Sequence, residues 1–158
     1  MADVVIIGAG PAGIFAALEL LRLKPGIEIE IVEQGRSIQA RSRHGQDILQ
    51  GWGGAGAFSD GKLTFSAEVG GTLAKLVSEA ELMPMLDYID SIYGSYADTG
   101  AMFTADNLDW IARKATLAGL IYVPTRVRHI GTENCYTILK CMQDELERKA
   151  RIRFQSPV

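Results

Sequence analysis

The chain has 158 residues, of which 47% are hydrophobic and 22% charged, so it can bury a core of ordinary size. Its net charge of −3 and pI of about 5.4 predict no broad basic face, which argues against a nucleic-acid partner. No signal-peptide pattern or apolar run of membrane-spanning length occurs, so we expect no membrane span and a cytoplasmic location. Cys135 and Cys141 lie six positions apart in a helical pattern, too far around the helix to bridge, and we expect both to be reduced.

Three elements are predicted within residues 1–35. An apolar run over 3–7 predicts a strand buried on both faces, as in a parallel sheet. A helix with one apolar stripe begins at Pro11, which suits a first helical turn. Alternating isoleucines from Ile27 then predict a second strand, closed by Glu33. This order of strand, helix and strand is that of a βαβ unit.

The remaining elements are less regular. Residues 34–71 are mostly loop, and a loop of that length usually has a function or covers a ligand. A helical segment over 72–118 is predicted to consist of two helices, the first broken near Pro84. The periodicity after it predicts short strands at 120–123 and 127–130, a helix at 133–149 and a further strand from Arg151.

A G-x-G-x-x-G motif joins the first strand to the helix, and Glu33 stands 20 positions after its last glycine. Gly8 permits a tight turn, Gly10 lets backbone approach a pyrophosphate, and Gly13 lets the helix pack closely on the strand. The helix N-terminus favours phosphate. Glu33 can accept hydrogen bonds from ribose hydroxyls, and its charge disfavours the 2′-phosphate of NADP. The motif residues predicted to bind a dinucleotide are Gly8, Ala9, Gly10, Pro11, Ala12 and Gly13.

Two alternatives stay open at this point. A glycine turn of this kind also occurs in Rossmann-like folds that hold no ligand. The βαβ unit does not distinguish NAD from FAD either, because both contain ADP.

Residues 4–13 together with 31–33 are similar to the ADP-binding fingerprint of flavoproteins with two dinucleotide-binding domains, the glutathione-reductase-like superfamily. The Gly-Ala-Gly-Pro-Ala-Gly form is typical of its FAD-binding members. A second stretch, 51–64, resembles the signature of FAD-dependent dehydrogenases of this superfamily, and 128–132 resembles another of their segments. The resemblance implies an α/β, Rossmann-like FAD/NAD(P)-binding domain over 1–158 with a parallel sheet and a helical insertion.

The resemblance also implies site residues beyond the motif. A glycine-rich loop after the second strand lies along the pyrophosphate and the isoalloxazine edge in such proteins, which implicates Gly53, Gly54, Ala55, Gly56 and Ser59. Gln34 and Arg36 follow Glu33 and are further candidates; Arg36 is in reach of either the adenine or a phosphate, and it is equally well explained as a solvated arginine. Trp52 and Phe58 either stack on a ring or, as we favour, pack against the loop.

Other polar residues have competing explanations. Arg41, Arg43 and His44 form a basic cluster near the expected pyrophosphate, which we interpret mainly as surface charge. Lys62 is a candidate to stabilise a reduced flavin. His129 either binds an anionic substrate or caps local structure, and we favour the latter.

The implied activity is that of an FAD-dependent oxidoreductase with a small-molecule substrate and NAD(P)H as a possible electron donor. No catalytic residue or metal ligand stands out. The resemblance predicts a longer chain, so we expect an incomplete domain, the amino-terminal part of a larger enzyme, stabilised by its missing half or by homo-oligomerisation. The alternatives are an NAD-dependent dehydrogenase and a non-catalytic dinucleotide-binding module.

Overall fold

The computed structural model describes residues 1–104 and 108–158. The chain divides into two compact units, the first made of Met1–Gly61 with Gly131–Val158 and the second of Lys62–Ile130. The sequence predicted one domain over 1–158 with a helical segment at 72–118. In the structure that segment belongs to the second unit, which also contains three strands.

The described residues form six strands and four α-helices, joined in places by short 3-10 helices. In chain order they are β1 (Val4–Ile7), α1 (Pro11–Leu23), β2 (Ile29–Val32), β3 (Lys62–Phe65), α2 (Glu79–Tyr96), β4 (Met102–Phe103), α3 (Asp109–Leu117), β5 (Arg126–His129), α4 (Gly131–Lys149) and β6 (Arg151–Arg153).

A parallel sheet of strand order β1-β2-β6 is the frame of the first unit. In its register Ile6 pairs with Ile31 and Ile31 pairs with Ile152. Both crossovers run in the same direction across the sheet, and crossovers of this kind are right-handed, so α1 and α4 pack on the same face. The first unit is therefore an α/β structure of the kind found in Rossmann-like folds, as the sequence predicted.

The core of this unit lies between the sheet and the two helices. Its most deeply buried apolar side chains are those of Ala9, Ile14, Ala17, Ile31, Trp52, Ile138, Met142 and Leu146. β1 departs from the prediction that it is buried on both faces, because Val5 is 56% exposed and Ile7 is 69% exposed. Since α1 and α4 cover only one face of the sheet, the alternate side chains of β1 point away from the core.

The second unit contains an antiparallel sheet of order β3-β5-β4. Two arginines on β5 hold α2 against it: Arg126 donates to Asp87 at 2.7 Å, and Arg128 reaches both oxygens of Asp90 at 2.7 Å. Arg128 also donates to the carbonyl of Gly100. The hydrogen bond to Asp90 raises the pKa of Arg128. Both arginine–aspartate pairs can form together because residues three apart on a helix, and residues two apart on a strand, lie on the same face.

The irregular part of the sequence was predicted less well. α2 runs through Pro84 without a break. Strands β3 and β4 were missed, and 120–123 is not a strand. The predicted strand at 127–130 and helix at 133–149 are present as β5 and α4. Of the helix predicted from 105 to 118, the residues 105–107 lie outside the described part of the chain and the rest contains α3.

Two further sequence expectations bear on the chain as a whole. Within 1–104 and 108–158, no helix is both long enough and apolar enough to cross a membrane. Cys135 and Cys141 are both free thiols on α4, as their spacing predicted.

Candidate functional site

The turn between β1 and α1 has the geometry that its glycines predict. Gly8 adopts φ +92°, a left-handed conformation that strains other residues. A Cβ on Gly13 would lie 2.0 Å from the carbonyl oxygen of Gly8 and 3.2 Å from the Ile6 side chain. The roles predicted for Gly8 in the turn and Gly13 in close helix–strand packing are therefore confirmed.

Gly10 differs from these two glycines. It is the N-cap residue of α1 with φ −74° and ψ 179°, an extended conformation open to any residue. Among the described atoms, none lies within 4 Å of a Cβ built on it apart from its own chain neighbours. Neither backbone conformation nor packing in the described protein requires glycine here.

The N-terminus of α1 presents backbone donors beside Gly10. Pro11 is its first residue, and within the described residues no side chain caps this helix end. The first N–H groups of a helix have no partner within the helix, and the helix dipole adds partial positive charge. Ala12 and Gly13 contribute such N–H groups, and Ala12 is exposed.

Glu33 lies at the carboxyl end of β2, and it is only 5% exposed. One carboxylate oxygen accepts the N–H of Ala9 at 2.7 Å. The other accepts the N–H groups of Gly35 at 2.7 Å and Gly51 at 3.0 Å. Glu33 thus joins the first glycine turn to two points of the loop that follows β2, at Gly35 and Gly51, a structural role that the sequence did not indicate.

A second glycine turn packs beside the first. The N–H of Gly53 donates to the carbonyl of Ala9 at 2.8 Å. Gly54 has φ +58°, and a Cβ on it would lie 3.5 Å from the Cα of Gly10. Gly53 has φ +83°, which favours glycine, and a Cβ there would also lie 2.5 Å from the end of the Leu139 side chain on α4.

The 3-10 helix Gly54–Phe58 continues from this turn. Ala55 and Gly56 are exposed, and no described atom approaches within 4 Å of a Cβ built on Gly56. The Ser59 hydroxyl donates to the carbonyl of Gly56 at 2.9 Å, so it serves the end of this helix. The Ser59 carbonyl in turn accepts the hydroxyl of Thr132 on α4 at 3.1 Å.

The two aromatic residues of the loop have different positions. Trp52 is fully buried, and its indole N–H donates to the carbonyl of Leu139 at 2.8 Å. Its ring also meets Phe154 edge-on at 6.2 Å, so Trp52 packs in the core and is not placed to stack on a ligand. Phe58 is half-buried beneath Arg41 and Arg43, at 4.8 and 5.6 Å from its ring centre.

Arg41 corrects the interpretation of the basic cluster as surface charge. It is 8% exposed, whereas Arg43 and His44 are exposed as expected. Its guanidinium donates to carbonyl oxygens along the loop, including those of Trp52 and Gly54 at 2.6 and 2.8 Å. The sequence showed the arginine but not this role, because the acceptors are backbone atoms that the loop brings together only on folding.

A cleft of about 390 Å³ lies at the residues that directly follow Glu33 in the chain. Gln34 and Arg36 line it and are both exposed, together with His44, Gln46, Asp47, Gln50 and Gln155. Arg36 lies 3.6 Å from the Asp47 carboxylate. The Ser42 hydroxyl, which donates to Asp47 at 3.0 Å, lowers the pKa of that carboxyl, with Arg36 adding to the effect.

The other two candidate polar residues belong to the second unit. Lys62 begins β3 and His129 ends β5, and the two are exposed cross-strand neighbours. α4 begins two residues after His129, at Gly131. Their predicted roles toward a flavin or a substrate stay predictions.

The first unit therefore brings backbone N–H groups, two glycine turns and a buried carboxylate to the carboxyl ends of β1 and β2. In open parallel sheets this edge is where ligands bind. Such an arrangement can hold a phosphate ester and a ribose. Within the described residues, no group of three or more His, Cys, Asp or Glu side chains is placed to hold a metal ion.

No family model matches the chain. It is similar to an uncharacterized protein from Clostridium beijerinckii (strain ATCC 51743 / NCIMB 8052), at 44% identity over an alignment that covers 38% of this chain and 13% of that protein. The alignment therefore spans a small part of the relative's length, and the relative's name carries no activity.

Proposed function

We propose that this protein binds the ADP moiety of FAD and acts as part of a flavoprotein oxidoreductase of the dehydrogenase type. The observation that carries the proposal is Gly10. The fold places a glycine at the N-terminus of α1 where neither φ nor packing requires one. A bound pyrophosphate supplies the reason, because a Cβ at Gly10 would occupy the space through which phosphate oxygens approach the backbone N–H groups.

The acceptor capacity of Glu33 fits a ribose in addition to its structural role. An ionised carboxylate offers about four acceptor positions. Three of them are taken by the N–H groups of Ala9, Gly35 and Gly51. One position remains for a ribose hydroxyl, and the negative charge there opposes a 2′-phosphate. The cleft lined by Gln34 and Arg36 is formed by residues that follow Glu33, and we assign the adenosine to it.

The second glycine turn favours FAD over NAD. Gly53 donates its N–H to the first turn, Gly54 lies beside Gly10, and a Cβ on Gly56 would meet open space. A flavin attached to the far phosphate needs backbone without side chains along this path. An NAD-dependent dehydrogenase with the same βαβ unit, or a non-catalytic dinucleotide-binding module, would account for the first glycine turn but not for the second.

FAD supplies hydride or electron-transfer chemistry, with NAD(P)H as an electron donor and a small molecule as substrate. The residues of this chain bind and orient the cofactor: Gly8–Gly13 and the N-terminus of α1 hold the pyrophosphate, Glu33 holds the ribose, and Gly53–Ser59 flank the flavin side. The free thiols of Cys135 and Cys141 support a cytoplasmic location as part of the same proposal.

The test is a titration of the chain with FAD, followed by flavin fluorescence, with NAD as competitor. We expect saturable binding that NAD does not displace. Gly10→Val is expected to abolish binding while costing at most about 1 kcal/mol of stability, because only the N-cap preference is lost. Gly94→Ala is the matched control, since Gly94 is an exposed residue of α2 whose Cβ space is also open.

Three results would count against the proposal. A folded chain that does not bind FAD contradicts the flavoprotein assignment. Displacement of FAD by NAD at similar concentration favours the dehydrogenase alternative. Unchanged FAD affinity in Gly10→Val removes the pyrophosphate from the N-terminus of α1.

A further inference from the structure

Arg41 holds the second glycine turn from inside the loop. Its Nε and Nη2 donate to the carbonyl of Asp47 at 2.9 and 2.6 Å, and Nη2 also reaches the carbonyl of Ile48 at 3.1 Å. Its Nη1 donates to the carbonyls of Trp52 and Gly54 at 2.6 and 2.8 Å. One side chain thus fixes four backbone carbonyls from two separate parts of the loop.

The carbonyls that Nη1 holds lie on either side of Gly53. The N–H of Gly53 donates to Ala9 in the first glycine turn, and Gly54 lies beside Gly10. The position of the second turn relative to the N-terminus of α1 therefore depends on where Arg41 places its guanidinium. Because these donors are directed at backbone oxygens, Arg41 acts on the site through the loop.

Burial by itself disfavours a charged side chain at position 41, so the presence of an arginine there needs another reason. Desolvation lowers the pKa of Arg41, and the charges of Asp47 and Glu33 oppose that effect. A buried cation is costly unless its donors are satisfied, and a planar guanidinium with five donors can satisfy several carbonyls at fixed angles. A lysine at this position offers one ammonium group and cannot reach both parts of the loop at once.

We propose that Arg41 is a positioning residue for the dinucleotide, which sets the Gly51–Gly54 turn against Gly10 so that the pyrophosphate meets preformed backbone on both sides. This inference rests on the proposed function.

The experiment compares FAD affinity in Arg41→Ala, Arg41→Lys and Arg43→Ala. Arg43 is the matched control, since it is exposed and contacts the same Phe58 ring. We expect Arg41→Ala to weaken FAD binding about tenfold or more, as for loss of charged hydrogen bonds, with little recovery in Arg41→Lys. Arg43→Ala is expected to stay within about threefold of the parent chain, as for an exposed charge.

Chemical rescue separates positioning from a general structural role. Ethylguanidinium added to Arg41→Ala is expected to restore part of the FAD affinity, whereas ethylammonium at the same concentration is not. Wild-type affinity in Arg41→Lys would overturn the proposal in favour of charge alone. Wild-type affinity in Arg41→Ala, with only a lower melting temperature, would reduce Arg41 to a stabilising residue.

Amide hydrogen exchange of Gly53 in the ligand-free chain gives a second measurement that does not depend on FAD. The positioning role predicts faster exchange of this N–H in Arg41→Lys than in the parent chain, because its bond to Ala9 is no longer held. Equal exchange in the two chains would overturn the proposal even where Arg41→Ala does not fold. A parent chain that binds no FAD, with faster exchange in Arg41→Lys, would contradict the proposed function but leave the loop-setting role of Arg41 in place.

Discussion

Two glycines only three positions apart in the first turn differ in whether the fold requires them. Gly13 is required by the protein, because its missing Cβ makes room for the Gly8 carbonyl, whereas the space at Gly10 is open. The motif predicted these different roles, with Gly13 serving helix packing and Gly10 the approach of a pyrophosphate. The structure separates them through the distances to a built Cβ.

Gly13→Ala should therefore destabilise the chain by more than about 2 kcal/mol, because a methyl group 2.0 Å from a backbone carbonyl forces α1 away from β1. Urea unfolding followed by circular dichroism measures this. Gly10→Ala serves as the control and should unfold within about 1 kcal/mol of the parent chain. Equal stability of the two variants would mean that helix and strand are not packed as described.

Glu33 has a structural role in addition to the ribose-binding role proposed for it, and its replacement should affect stability even without ligand. Glu33→Gln keeps the shape of the side chain but turns one acceptor into a donor that faces backbone N–H groups. We expect a loss of stability of about 1–3 kcal/mol even without ligand, since a buried donor is left unsatisfied. Unfolding of the ligand-free variant tests this, and an unchanged midpoint would mean that the three N–H contacts contribute little.

Much of the site could be predicted at the residue scale because its glycines are close in sequence and the acid has a fixed spacing. The exceptions are residues whose roles depend on distant partners. The role of Arg41 depends on carbonyls that come together in the folded loop, and Gly53 packs against Leu139 on α4. Trp52 is buried by the same helix, which the sequence around it does not show.

At the scale of the elements, the N-terminus of α2 has charge-assisted hydrogen bonds. The N–H and hydroxyl of Ser78 donate to the Glu81 carboxylate at 3.0 and 2.7 Å. The Ser78 hydroxyl is the main cause of the lowered pKa of Glu81. A depressed carboxyl pKa means that this stabilisation is present above the ordinary pKa of 4.5 and disappears as the pH falls through the lowered value.

Ser78→Ala should accordingly lower the stability of the chain at neutral pH, as for the loss of an N-cap. The difference from the parent chain should shrink in acid, once Glu81 is protonated in both. Chemical unfolding at pH 7 and below pH 4 measures the two limits. A difference that does not depend on pH would assign the effect to the serine alone.

Several elements could not be predicted for identifiable reasons. α2 continues through Pro84, which removes the helical hydrogen bond to the carbonyl of Ala80; Ala80 is exposed, so water can replace that donor. β4 has two residues and exists only through its pairing with β5. The apolar run 120–123 has no strand to pair with in the described second unit, and Leu120 and Ile121 are exposed.

The sequence of β1 alone could not show that this strand is buried on only one face. Four consecutive apolar residues are typical of a strand covered on both faces, and whether a second layer is present depends on the whole chain. Ile7→Thr should change stability by less than about 1 kcal/mol, since Ile7 is 69% exposed. Ile31→Ala on the covered face, which is fully buried, should cost about 2–5 kcal/mol. Similar unfolding midpoints for the two variants would contradict this assignment of faces.

For the whole molecule, the second unit is a continuous insertion into a discontinuous first unit. Its ends are neighbours, because Lys62 and His129 are cross-strand partners in β3 and β5. Insertions with adjacent ends can be removed with little effect on the host domain. The Thr132 hydroxyl bonded to the Ser59 carbonyl provides an anchor on the host side.

Replacing 62–130 by a short glycine-serine linker should therefore leave the first unit folded and able to bind FAD with affinity close to that of the full chain. Circular dichroism and the FAD titration measure the two properties. Loss of folding would mean that the first unit depends on the second for stability, and retained folding without binding would place essential FAD contacts in the second unit.

The chain contains two tryptophans, and the two units hold one each. Trp52 is buried beside the second glycine turn, while Trp110 on α3 is 57% exposed. A buried indole emits at shorter wavelength than a hydrated one, so the two contributions can be separated by spectrum and by the accessibility of Trp110 to iodide. Oxidised flavin absorbs where indoles emit. Trp52 is thus an internal energy-transfer donor beside the site proposed for FAD, and quenching of its emission tests that proposal. The separate emission of the two tryptophans reports unfolding of each unit without any added label.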